Sequence, residues 1–144
     1  DRSENEVRDI SIVRQVDGDW TEPLAVHNDN WKINGCPVNG PKAVALENVL
    51  VVAWFTGANE QSAVKVAFSS NNGASFNKPV TIGSKNAIGR VDIVLLDKKT
   101  ALVSYMESKD KSAQLKAVII NQSGEVSNAR VVTELSSLTV LNYV

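Results

Sequence analysis

The chain has 144 residues, 43% of them hydrophobic and 22% charged, a balance that suits one globular domain and not a disordered chain. A total of 15 basic residues against 16 acidic ones leaves a net charge of -1, which gives no electrostatic case for nucleic acid or an anionic membrane. One cysteine, Cys36, excludes a disulfide framework and multi-cysteine zinc patterns, and one histidine, His27, argues against a Ser-His-Asp or His-rich metal site.

In chain order, short apolar runs alternate with breaks of Gly, Asn, Asp, Ser and Pro. They predict strands at 7–14 (VRDISIVR), 22–27 (EPLAVH), 41–47 (PKAVALE) and 49–56 (VLVVAWFT). The series continues at 63–69 (AVKVAFS), 78–83 (KPVTIG), 91–97 (VDIVLLD) and 100–107 (TALVSYME). It ends at 114–121 (QLKAVIIN) and 129–135 (ARVVTEL), with LTVLNYV at 138–144 as one further candidate. No window repeats apolar residues at helical spacing over a helix-sized length, so the chain reads as all-β. No apolar run approaches a membrane span. No metal site or cofactor is indicated. The chain opens on Asp1 and not on Met, which points to a processed or trimmed N-terminus, and no signal peptide is visible.

An internal repeat organises these strands. An offset of 51 residues lays 49–82 on 100–133 without a gap, so that VVAWFT falls on LVSYME and Gly73 falls on Gly124. Upstream, PKAVALE falls on DIVLLDK at the same offset, adding a fourth strand. A partial copy at the start, offset by 56, lays Ile10 and Ile12 on Val66 and Phe68, Trp20 on Phe76, and Leu24 on Val80. Four short strands over about 50 residues are the mark of a β-propeller blade. The chain divides into a half blade at 1–30, blades at 31–83 and 84–136, and a tail or extra inner strand at 137–144.

The turn after the 63–69 run reads Ser69-x-Asn71-x-Gly73-x-x-Phe76. It resembles the Asp-box of the sialidase superfamily, with Asn in place of Asp and Phe in place of Trp. Asn71 would cap the turn, Gly73 would supply a positive φ, and Phe76 would clamp the hairpin. WKINGCPVNGP (31–41), VVAWFTG (51–57) and GRVDIVLLD (89–97) extend the resemblance to bacterial secreted Asp-box (BNR) repeat proteins, generally six-bladed. That likeness implies a secreted or periplasmic location, a carbohydrate ligand and a structural role for the Asp-box. An open arc of blades exposes sheet faces at both ends, so a homodimer closing one six-bladed ring is expected.

Propeller geometry puts the loops at 27–40, 56–63, 83–90 and 107–113 on the functional face. A sialidase needs three arginines for the sugar carboxylate, a Tyr–Glu nucleophile pair and an Asp acid/base. Arg90 is the only arginine on these loops. Tyr105 and Glu107 have the spacing of a nucleophile pair, but Tyr105 is the repeat counterpart of Trp54 and reads as core; Glu107 reads equally as a solvated rim charge. Arg90 and Asp92 share one face of an innermost strand, either as a buried pair that fixes the loop or as an arginine offered to an anionic ligand. Trp31 either stacks on a sugar ring or packs between blades, and Asn39 in the same loop is a further ligand-binding candidate. Cys36 reads as a small buried residue and not as a nucleophile. The sequence thus indicates a fragment without a complete catalytic set, acting as a glycan-binding or assembly module. The alternatives are part of an exo-α-sialidase completed by other blades or a second chain, and a truncated chain without activity.

Overall fold

The computed structural model describes residues 5–34, 38–83 and 85–136; Cys36 and the candidate strand at 138–144 lie outside them. The described residues are all-β, with one short 3-10 turn at Ala58–Glu60 and no helix long and apolar enough to cross a membrane. Two four-stranded antiparallel meanders dominate. The first runs β5 (Lys42–Leu46), β6 (Val49–Thr56), β7 (Ala63–Ser69), β8 (Val80–Thr81). The second runs β9 (Ala87–Leu95), β10 (Thr100–Lys109), β11 (Ser112–Asn121), β12 (Arg130–Ser136). Ahead of them β1 (Ser11–Ile12) pairs with β4 (Leu24–Ala25), and β2 (Gln15–Val16) pairs with β3 (Asp19–Trp20). Neither four-stranded sheet closes on itself.

The run VLVVAWF is apolar at every position because β6 is covered on both faces. Val49, Val51 and Ala53 point one way, with Val64, Val66 and Phe68 of β7, and meet Ala101, Val103, Tyr105, Val118 and Ile120 of the second sheet. Val52, Trp54 and Ala67 point the other way and meet Ile10, Ile12 and Val26 beside the first strand pair. A strand buried on both faces loses its alternation, while β10 keeps a strict buried-then-partial pattern because one face is less covered. On that face Leu102 lies opposite Val94 and Ile119, which are 47% and 44% exposed.

The register corrects three repeat alignments. Ile12 pairs with Leu24 as Val66 pairs with Val80, so Ile12 corresponds to Val66 and not to Phe68. A two-residue slip keeps every side chain on its face, so the apolar pattern cannot detect it. Val103 pairs with Ile93 as Val52 pairs with Ala43, so β9 sits one residue out of the constant offset. The cause is the turn: Leu46 and Val49 pair around two residues, whereas the Leu96 N–H reaches the Thr100 carbonyl around three. Finally, Trp20 is not the closing aromatic of a folded-back turn. Asp17 and Gly18, with φ of 52° and 96°, make a tight two-residue hairpin that leaves Trp20 70% exposed on β3.

Candidate functional site

Three connections leave the same end of the sheets and converge: 27–30 after β4, 57–62 between β6 and β7, and Gly83 and Lys85 after β8. Between them lies an open cleft of about 690 Å³. Its lining is mostly polar, with His27, Asn30, Asn59, Gln61, Thr81 and Lys85 among its residues and Ala58 and Ala63 as apolar members. Such a volume lies within the usual range for small-molecule sites, but the scarcity of apolar walls argues against an apolar ligand.

The fixed point of the cleft is Asp29, whose side chain is only 3% exposed. One carboxylate oxygen accepts the Trp54 indole N–H at 2.7 Å, and the other accepts from the Lys65 ammonium. His27 Nε2 stands 3.7 Å from that second oxygen. Trp54 and Lys65 are directly opposed across the β6–β7 ladder, so the sheet itself places both donors on one face. A buried carboxylate is tolerable only when paired and hydrogen-bonded, and Asp29 is both.

Three of the nine described non-glycine residues with positive φ lie on the cleft loops. Asn30, Asn59 and Glu60 hold φ of 55°, 56° and 58°, the left-handed region that residues with a side chain seldom adopt outside tight turns. Asp9 fixes the first of these loops, its two oxygens accepting the backbone N–H groups of Asn30 at 3.1 Å and Trp31 at 3.2 Å. Trp31 fixes the second. Its indole lies across Gly57 and meets Phe55 edge to face at 5.6 Å, with an interplanar angle of 77°. Trp31 does not line the cleft; it braces the loop that does.

Tyr105 and Glu107 lie on the face of β10 that meets the first sheet. Tyr105 is 1% exposed, and its hydroxyl donates to the Ile82 carbonyl at 2.9 Å. Burial, and then the charge of Glu107, push its pKa above the ordinary phenol value. That shift favours the neutral phenol and opposes nucleophilic use. Glu107 is buried and accepts from the Lys116 ammonium, so it is no solvated rim charge, and β10 runs two residues past it. Lys116 opposes Tyr105 as Lys65 opposes Trp54.

Arg90, Asp92 and Asn39 come together elsewhere, along β9. Arg90 and Asp92 are both exposed. The Asn39 amide donates to the Ile88 carbonyl at 2.8 Å and accepts the Arg90 backbone N–H at 3.1 Å, which pins a bulge in β9. Gly89 is required there: its φ is 98°, and a Cβ would stand 2.6 Å from Asn39 Cγ. Asn39 thus spends its amide on the strand, while Arg90, at φ 52°, is held facing outward.

The 69–76 turn lies at the opposite end of the first sheet from the cleft, where β7 leaves towards β8. Ser69 Oγ accepts the Gly73 N–H at 2.9 Å and donates to Asn71 Oδ1 at 2.9 Å; Asn71 Oδ1 also accepts the Ser75 N–H at 3.0 Å. Phe76 is partly buried against Val26, Val52, Trp54 and Ala67. The second sheet makes its corresponding turn differently, with Asn121 Oδ1 accepting the Glu125 N–H at 3.0 Å and the Ser123 hydroxyl at 2.7 Å.

Asp29, Lys65 and Gln61 are therefore cleft residues that the sequence reading did not select. The usable signal was a polar run, HNDNW, directly after a short strand, together with a lysine inside the otherwise apolar VKVAF. Among the described residues no group of three or more His, Cys, Asp or Glu is placed to hold a metal ion. Compared with protein-family models, curated proteins and solved structures, the chain matches none.

Proposed function

We propose that the chain is an arc of a sialidase-like β-propeller that binds carbohydrate without cleaving it. The observation that carries this reading is the cleft, where carboxamides and hydroxyls surround one carboxylate already paired with a lysine. Sugar hydroxyls are matched by such groups. Cleavage by two carboxylates needs a second acid facing the first, and among the described residues Asp29 is the only carboxylate lining the cleft. The Tyr–Glu route fares no better, because the Tyr105 hydroxyl is engaged by the Ile82 carbonyl. A glycan array probed with the full chain tests the reading, together with a fluorogenic sialoside. Binding without release of the fluorophore is the expected result. Release that disappears in Tyr105→Phe and Arg90→Ala variants would establish the hydrolase alternative, an exo-α-sialidase fragment.

Assembly belongs to the same reading. The first sheet buries both faces, one against β1 and β4 and one against the second sheet, while the equivalent outward face of the second sheet leaves Val94 and Ile119 exposed. A second copy supplies the cover, closing a six-bladed ring as a homodimer. Light scattering at micromolar concentration should give twice the chain mass, and Ile119→Arg should give a folded monomer. A monomeric mass for the unaltered chain would remove this part of the proposal. A secreted or periplasmic location goes with the family resemblance and stands or falls with it.

A further inference from the structure

We propose that the Asp29–Lys65 ion pair is the seat for a vicinal diol of a neutral saccharide; this assignment rests on the carbohydrate-binding reading and names its ligand class. A hydroxyl is both a donor and an acceptor, and an ion pair at the base of a cleft offers both complements side by side. One hydroxyl of the diol donates to the Asp29 carboxylate, which has lone pairs beyond those given to Trp54 and Lys65. Its neighbour accepts from the Lys65 ammonium, the more open partner, with a side chain 22% exposed against 3% for Asp29. Both contacts are charge-assisted, roughly twice as strong as neutral ones.

The pair also decides what is refused. The Asp29 charge already has its counter-ion, so a ligand carboxylate reaching the floor meets a like charge, and the other ammonium lining the cleft, that of Lys85, is a point charge without a planar bidentate grip. Planar bidentate capture of a sugar acid would need an arginine, and among the described residues none lines the cleft. Around the floor, Asn59 and Gln61 project from the strained 57–61 loop and Thr81 from the strand facing Lys65, each able to give and take one hydrogen bond with a ring hydroxyl. Loops held in sparsely populated backbone states are already ordered, which lowers the entropy lost on binding.

The test uses the full chain on an array of neutral and acidic glycans, followed by calorimetric titration with the best neutral oligosaccharide. The variant Asn59→Gly/Gln61→Ala keeps the left-handed backbone at position 59 and leaves the buried pair intact. Its affinity should fall about tenfold or more, while Arg90→Ala binds as the unaltered chain does. Binding of acidic glycans alone would overturn the diol assignment. So would neutral binding that survives the cleft variant and is lost in Arg90→Ala, since it would move the ligand to β9. In both of those cases the chain still binds carbohydrate. Silence across the whole array would remove both readings together.

Discussion

Lys65 reaches Asp29 across 36 residues of sequence, and the pair joins the first four-stranded sheet to the loop that precedes it. The second sheet repeats the device with different sources. Lys116 takes the place of Lys65 and Tyr105 that of Trp54, but the carboxylate is now Glu107 on the sheet's own strand. Thr56 occupies the position of Glu107 in the first copy, where the acid comes from Asp29 instead. Each aromatic also bonds to the connection leaving the sheet before it, Trp54 to Asp29 and Tyr105 to the Ile82 carbonyl. The lysine and the aromatic are therefore constant, while the acid changes place.

Removing the acid alone should be costly. Asp29→Ala leaves the Lys65 ammonium and the Trp54 indole N–H without their acceptor in a largely buried place. A loss of about 3 kcal/mol or more is expected by urea denaturation, as for other broken buried pairs. The double variant Asp29→Ala/Lys65→Met should recover at least about 1 kcal/mol of it, because the stranded charge goes too. A single-variant loss within about 0.5 kcal/mol would mark the pair as an exposed one.

Tyr105 gives the fold an alkaline weakness. Its folded pKa lies above the ordinary value of 10.0, through burial first and Glu107 second. The stabilisation is complete below that value. As the pH rises past it, the unfolded chain loses the proton first and stability falls. Tyr105→Phe should cost about 1 kcal/mol at neutral pH through the lost bond to Ile82, yet flatten the decline above pH 10. An unchanged alkaline slope in the variant would show that other groups cause it.

Acid should act at the far strand. Hydrogen bonds from Gln114 and then Ser112 hold the Glu134 pKa below its usual 4.5, tying β12 to β11. A lowered pKa contributes stability that is present above 4.5 and lost as the pH falls through the folded value. Glu134 is exposed, so the effect is local. Protection of the β11–β12 amides against hydrogen exchange, taken relative to the intrinsic exchange rate at each pH, should fall on acidification in the unaltered chain. In Glu134→Gln that protection should depend less on pH over the same range; equal dependence would argue against the two side-chain bonds.

Much of this architecture was legible in residue order, and the failures have a common cause. Every four-stranded unit could be seen because alternation and turn residues are local signals. The register could not be fixed, because a two-residue slip preserves the facing of Ile12 and one extra turn residue at 97–99 is invisible to composition. The cleft is half legible: its loops stand out in the sequence, but the residues conspicuous by type, Arg90 and Trp31, do not line it. Asp29 and Lys65 matter through a contact made across the sheet, and sequence distance hides such contacts. Asn39, in turn, looked like a ligand group and spends its amide on the β9 backbone.

The 69–76 turn separates a backbone requirement from a packing one, and two substitutions can measure each. Gly73 sits at φ 76°, and a Cβ there would come within 2.8 Å of Ile12 Cδ1 and 3.0 Å of Leu50 Cδ2. Gly73→Ala therefore meets both a disfavoured backbone state and an occupied space, and should cost about 2 kcal/mol or more. Phe76 is only partly buried, so Phe76→Ala should cost about 2 kcal/mol, below the usual range for a fully buried phenylalanine. The two losses should not add, since Ile12, Leu50 and Phe76 pack on one cluster around Val52 and Trp54. Ser69→Ala is the third arm: it strips the acceptor from the Gly73 N–H and should cost about 1 kcal/mol with little change in packing. If Phe76→Ala and Ser69→Ala both fall within about 0.5 kcal/mol of the unaltered chain, the turn is held by its backbone alone and the aromatic clamp is wrong.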